Sequence, residues 1–425
     1  MSNGRGLAAH GENPYRWVIL AVMSFLFFAV NYAEFELAGV AGSLFGSFHL
    51  TPLEFGLCLF APFLMNFAFG IPIGMVADRY GTTAVGSTLL IVATAGLVGR
   101  AYASSGFVSL FVWMLVFGSS MVFVNTLGPK ILRRWFKHEH MSIAMGTFIG
   151  CAGLGVGLGE GTAPLFASFN QAFHFAWILL AVATLCFLFG FRARPAGEPD
   201  LPPQPVLEFL GVAARNRYVW LAGTAVLFFF AAWVGTAGNL PTALTQIKHA
   251  SPAAAGVLGI PFGLGGALGG FFMPVILHRM RALKAWLAAF VVIGAALIVA
   301  SVAVPFGPMT WICVAVGAFI ANGMLPLTIP FPVMLSEIGT TYGGSAGGIV
   351  SLLQMAGGFF IPTFAIALVA GADQSKTFAA LFVLYVLSAI CVLLLPQRGF
   401  HHGLADTGPE QGPASAPSTP RPAVP

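Results

Sequence analysis

Residues 54–81 read EFGLCLFAPFLMNFAFGIPIGMVADRYG, and the fold is decided here. From Phe55 to Ala77 the only amide or charged side chain is Asn66, and the run then stops at Asp78-Arg79-Tyr80-Gly81. A helix needs about 20 mostly apolar residues to cross a bilayer. A run of that length ended by a short charged turn therefore reads as one membrane crossing. The same alternation continues outward. On either side lie spans near 16–40, 84–103, 107–129, 141–166 and 174–191. A second set follows near 218–240, 253–277, 284–304, 309–335, 344–370 and 376–396. The expected fold is an all-α membrane protein of twelve transmembrane helices in two pseudo-symmetric six-helix halves.

Composition agrees. Of 425 residues 58% are hydrophobic and 8% charged, with a mean hydropathy of +0.88. Soluble domains are about one quarter charged, so no water-soluble reading survives. The 52 Gly and 41 Phe suit a chain whose helices approach closely with lipid as solvent. A net charge of +5 does not point to nucleic acid, because the basic residues sit in short loops between apolar runs. The five cysteines, Cys58, Cys151, Cys186, Cys313 and Cys391, all fall in apolar runs without metal-ligand spacing. They read as small core residues rather than disulfides. The first run is too long for a secretory signal and reads as a retained helix.

With both termini in the cytoplasm, 16 of the 19 Lys and Arg lie on that side, leaving Arg100, Lys248 and Lys376 outside. This asymmetry predicts an inner-membrane protein with both ends inside. The expected organisation is a cytoplasmic segment 1–15, a bundle 16–191, a Pro- and charge-rich cytoplasmic linker 192–217, a bundle 218–396 and a disordered tail 397–425. The halves repeat at a nearly constant offset. Arg16-Trp17-Val18 answers Arg217-Tyr218-Val219, Thr51-Pro52 answers Ser251-Pro252, and Gly70 and Arg79 answer Gly270 and Arg279. Asn125 and Asn322 are each followed four residues later by Pro. A duplicated six-helix unit is a transporter architecture.

The turn after the second span, Gly74-Met-Val-Ala-Asp78-Arg79-Tyr80-Gly81, resembles the loop 2–3 signature G-x-x-x-D-R-x-G of the major facilitator superfamily. The resemblance implies a secondary transporter working by alternating access. It also makes Gly74, Asp78, Arg79 and Gly81 a conformational latch, with Asp78 engaging a neighbouring helix N-terminus or Arg. Thr82 and Thr83 stand where that family usually adds basic residues. The Gly-rich fifth span (Gly150 to Gly161) and eleventh span (Gly347 to Pro362) are similar to those of the nitrate/nitrite porter branch. That branch clamps its anion with Arg in spans two and eight. Here the nearest polar residue in span two is Asn66 and span eight has no Arg, so nitrate does not carry over as the substrate. Met114 occupies the fourth-span position where proton-coupled drug exporters place Arg. Spans 1, 2, 4, 5, 7, 8, 10 and 11 line the central cavity in this family. The cavity candidates are then Asn31, Tyr32, Asn66, Asn125, Trp233, Asn322 and Gln354, with Asn239 behind them.

Carboxyls within a bilayer are expensive and usually functional. Glu34 and Glu160 are the expected proton-coupling residues, at similar depth towards the outer side. Glu36 is about 200° from Glu34 around the helix and cannot share its direction. His49, His174, His249 and Glu54 near outer ends keep a cation reading open, with a transition metal such as iron as the alternative substrate, and a non-transporting sensor is the third reading. No Arg or Lys is expected in the membrane centre, which argues against a multiply charged anion. There is no phosphate-binding loop, no His-Glu-x-x-His and no soluble domain, so an enzyme, a cofactor or a resident metal is not expected. The expected partners are a small solute or ion, protons and the lipid bilayer, the chain acting as a symporter and a monomer.

Overall fold

The computed structural model describes residues 14–136, 138–195, 206–278, 280, 282–335 and 337–396. The expected segments 1–13 and 397–425, and the Pro-rich stretch 196–205, lie outside the described residues. Twelve described helices are long and apolar enough to cross a membrane. They are α1 (Tyr15–Gly39), α2 (Pro52–Tyr80), α3 (Thr82–Ala103), α4 (Phe107–Trp135), α5 (Ile143–Leu165) and α6 (Phe169–Gly190) in the first half. The second half holds α7 (Arg217–Lys248), α8 (Pro252–Leu277), α9 (Leu283–Ala303), α10 (Pro308–Thr328), α11 (Tyr342–Ala370) and α12 (Gln374–Leu394).

Local chemistry sets many of the boundaries. Thr51 and Glu54 form a reciprocal capping box at the start of α2, and Ser251 caps α8 through the amide of Ala254. Both helices then begin with Pro, whose missing N–H costs nothing there. Just before each cap a histidine takes a left-handed conformation, His49 at φ 50° and His249 at φ 53°. The turn between α2 and α3 passes through Gly81 at φ 91°, a conformation glycine adopts without strain. The largest departures from the expected spans are at α7 and α10. α7 continues through Pro241 to Lys248. α10 stops at Thr328 rather than near 335, because Pro330 and Pro332 cannot donate and the chain tightens into a 3₁₀ turn at Phe331–Met334. Within the expected linker, Val206–Ala214 is a helix packed on α11.

Packing repeats between the halves. α1 packs on α5 and α6, α2 on α4, and α3 on α4 and α6. In the same pattern α7 packs on α11 and α12, α8 on α10, and α9 on α10 and α12. The halves meet along two main seams, α5 against α8 and α2 against α11, with a smaller contact between α1 and α7. All five cysteines are free; Cys58 and Cys313 are buried, but Cys186 faces outward from the bundle rather than into a core.

Candidate functional site

Between the halves lies a cavity of about 1920 Å³ that opens at the end carrying Asp78 and Gly81. A drug-sized ligand pocket occupies roughly 300–1,000 Å³, so this is a vestibule leading to a site. At the far end the halves close on each other. Phe63 of α2 meets Phe230 of α7 edge-on there at 5.4 Å, and along the cavity wall Phe67 of α2 meets Phe360 of α11 at 5.5 Å. One turn nearer the mouth than Phe63, and about 18 Å from Asp78 along the helix axis, lies Asn66.

Six of the seven expected cavity residues line this space: Asn31, Asn66, Asn125, Trp233, Asn322 and Gln354. Tyr32 does not. It is buried and its hydroxyl is 2.6 Å from that of Thr162, joining α1 to α5. Asn239 is also elsewhere, donating to the Gly235 carbonyl of its own helix. Asn66 is 4% exposed; its carbonyl oxygen accepts from Thr126 at 3.3 Å while its amide nitrogen has no partner. In the second half Asn322 donates to the Gly266 carbonyl at 2.7 Å. Both halves thus tie their second span to their fourth by one polar bond, at positions offset by 200 and close to 197.

The fourth spans are both interrupted there. α4 widens into a π turn over Phe123–Leu127, which carries Asn125, and the regular helix of α10 ends at Ala321, just before Asn322. Such interruptions recur at functional sites. They were invisible in the apolar pattern, which continues through them.

The mouth is basic. Lys130, Arg133, Arg134 and Arg194 line it, and Asp78 is the sole acid among the described lining residues. Gly74 and Gly81 also line the mouth, whereas Arg79 turns away and stacks over Tyr80 at 5.4 Å. The partner of Asp78 is Lys130 of α4, not a helix N-terminus or an Arg. In this open state the pair joins α2 to α4 within one half and does not span the halves.

Three carboxyls sit outside the cavity, towards its closed end. Glu34, Glu36 and Glu160 are each fully buried, and none lines the cavity. Glu34 and Glu160 have no hydrogen-bond partner on either oxygen. Glu36 pairs with Arg100 of α3, which is enclosed in the bundle at that end rather than exposed to water. Arg100 is fully buried, donates to the Ala33 carbonyl at 2.8 Å, touches Met114 Sδ at 3.6 Å and lies over the Phe173 ring at 4.3 Å. The signal in the sequence was a cation in the last turn of one span and a carboxylate in that of another, since ionisable groups inside a bundle pair with each other.

The residues behind the cation reading have structural places in the fold. Glu54 belongs to the α2 capping box, His49 is the C-cap of the short helix Ala41–Phe48, and His249 is the C-cap of α7. His174 packs against Tyr102 at 4.7 Å. Among the described residues no three His, Cys, Asp or Glu side chains are grouped to hold a metal ion.

Known proteins place this architecture. A "Nitrite extrusion protein" of Bacillus subtilis (strain 168) is 25% identical over 324 residues, covering 74% of this chain and 78% of that protein. A "Probable nitrate transporter NarT" of Staphylococcus epidermidis is 23% identical over 347 residues, covering 78% and 85%. A "Hexuronate transporter" of Bacillus subtilis (strain 168) is 25% identical over 406 residues, covering 86% and 90%. Among solved structures, a bacterial homolog of the human lysosomal transporter Spinster, in an inward-facing and occupied conformation, superposes with a TM-score of 0.68 at 16% identity. That match covers 92% of this chain and 96% of that one and carries the fold alone. The description of the Major Facilitator Superfamily matches residues 20–362, through both halves, the Asp78 turn and the cavity between them, and the chain belongs to that family of membrane transporters.

Proposed function

We propose that the protein is a proton-coupled secondary transporter that moves a small anion of low charge by alternating access, and that this state faces inward. The observation that carries the reading is the cavity itself. Both halves contribute to it, it is shut at one end by contacts between them, and among the described residues its mouth presents Lys130, Arg133, Arg134 and Arg194 with one acid, Asp78. The excess of Lys and Arg on the Asp78 side supports a mouth that faces the cytoplasm of an inner membrane, with both termini inside.

A cationic mouth concentrates anions from solution. Deeper in, the polar lining is neutral, and Asn66 holds a buried amide nitrogen without a partner, a donor that a carboxylate or oxyanion would satisfy. That combination suits a monovalent anion, which does not need a charged clamp. The names of the relatives support the class, since nitrite, nitrate and hexuronate are all anions. For the coupled proton the reading takes Glu34, a buried carboxyl without a partner. It is seven residues beyond cavity-lining Phe27, and so within about 20° of the same helix face.

Uptake by the purified protein in proteoliposomes under an imposed pH gradient tests the reading. Nitrite, nitrate, monocarboxylates and divalent metals are offered in turn. Saturable, gradient-driven flux of one of the anions is expected, and Glu34→Gln should remove the dependence on the gradient. Flux saturated by divalent metals and abolished by chelators would establish the cation reading instead. A folded protein with no flux for any solute would leave a sensor.

A further inference from the structure

The seam between α5 and α8 is built from backbone. A methyl group added at Gly157 would lie 2.6 Å from the Gly259 carbonyl oxygen, and one at Gly161 would lie 2.8 Å from Ile260 Cγ1. Into this contact projects Glu160, fully buried, with both carboxyl oxygens unpartnered. Its side chain lies directly on Gly259, where a methyl group would come within 2.6 Å of Glu160 Cβ and 2.5 Å of Oε2. The first helical segment of α8 ends at Val257, and Gly259 begins the next.

No cation reaches this carboxyl. Across the seam, α8 has no titratable side chain between Pro252 and Leu277. From α1 come Tyr32, Glu34 and Glu36. Tyr32 is joined to Thr162, Glu36 to Arg100, and Glu34 is without a partner. The basic residues of α4 that pack near α5 lie at the opposite, open end. A carboxylate left in such a place, with neither water nor a donor, is strongly disfavoured, whereas the neutral acid is tolerated.

We propose that Glu160 is a proton-binding site of the outer seam: with its proton bound α5 closes on α8, and with the proton released to the outer water the seam stays open. The proposal rests on the alternating-access reading, because only separation of the halves brings water to Glu160. Closing takes a proton from the outer water onto a carboxyl oxygen, and opening returns it to the same side. Glu160 lies in the seam that parts towards the outer water, so it exchanges its proton with that side and responds to outer pH, while Glu34 is the carboxyl assigned to the proton that crosses with the solute.

The test uses the full-length protein in lipid nanodiscs, in a background with the native cysteines replaced. Spin labels go at Ser47 and Gln246, which are exposed near the closed end on opposite halves. Distance distributions are recorded from about pH 5.5 to 8. One proton exchanged between two states changes their ratio by up to about tenfold per pH unit. The expected result is a short, closed distance at low pH giving way to a longer one at high pH. In Glu160→Gln, and in Glu160→Met as a second neutral variant, the closed distance should persist at every pH. A pH response retained in either folded variant would overturn the proposal, as would its loss in Glu34→Gln but not in Glu160→Gln. A wild-type protein with saturable flux and no pH-dependent distance would also overturn it, while leaving the transport reading intact.

Discussion

The glycines of α5 lie on two faces with different partners, and alanine at adjacent positions should separate conformational from structural effects. On one face, a methyl group at Gly157 meets three backbone atoms of α8 in the other half: Gly259 O at 2.6 Å, Ile260 Cα at 3.0 Å and Gly259 C at 3.2 Å. On the other, a methyl group at Gly159 meets backbone of α1 in its own half: Tyr32 O at 2.6 Å, Glu36 N at 3.1 Å and Tyr32 Cα at 3.2 Å. Backbone cannot step aside by changing rotamer, so each substitution overpacks its contact at a cost of about 1–3 kcal/mol. For Gly157→Ala the cost falls only on the state in which the seam is closed. The inward-to-outward ratio should then drop by about five- to 150-fold. For Gly159→Ala the cost is common to both states and cancels from the ratio, appearing instead as a lower melting temperature. The Ser47–Gln246 distance and a thermal melt, measured on the same samples, read the two effects. Equal shifts of the distance in both variants, or none in Gly157→Ala, would refute the argument that the halves part along this seam.

Three further outcomes follow from the geometry. Removing one member of the buried Glu36–Arg100 pair leaves an uncompensated charge, so Glu36→Gln or Arg100→Met should each destabilise the folded protein by about 3–5 kcal/mol, and the double variant should melt above either single one. Replacing Asn66 by Ala removes the unpartnered amide donors; the KM for the transported anion should rise by up to about tenfold, with a lower melting temperature because Thr126 loses its acceptor, and an unchanged KM would take Asn66 out of the substrate path. Neutralising Arg133, Arg134 and Arg194 together to Gln should slow flux from the cytoplasmic side and flatten its dependence on ionic strength, because the attraction of exposed charges is screened within about 8 Å at physiological salt.

How much of this was legible depends on what each feature asks of the chain. Twelve spans were readable because a bilayer imposes length and apolarity on every crossing. The duplication was readable because Thr51-Pro52 and Ser251-Pro252 solve the same problem, starting a helix after a reversal, with the same kind of cap. The amide residues of the cavity stood out because an Asn in an apolar run needs a reason. Interhelix contacts were not legible in this way. Arg100 looked like the end of α3, and only the approach of α1 and α6 encloses it. Tyr32 and Asn31 are adjacent in sequence, yet one binds Thr162 and the other faces the cavity, because successive helix positions differ by about 100°. The α5 glycines are alike in sequence, although Gly155 and Gly159 serve α1 while Gly153 and Gly157 serve α8.

The two seams related by the duplication are alike in position and unlike in chemistry. Along α2 and α11 the contact is aromatic, Phe67 on Phe360, with Gly56 approaching Thr363 Cα at 3.6 Å. The titratable groups of α2 near that end are Glu54, held in its capping box, and Cys58, buried in its own half; α11 carries only Tyr342, near the open end. Along α5 and α8 the contact is backbone on backbone, and Glu160 is enclosed in it. Duplication thus supplied two equivalent hinging surfaces, and divergence gave a carboxyl to one of them. A change of protonation acts on the α5–α8 seam and leaves the aromatic seam to close by apolar contact at any pH. Their chemical difference makes the closing of the halves a pH-dependent step without requiring a charged group in the substrate cavity.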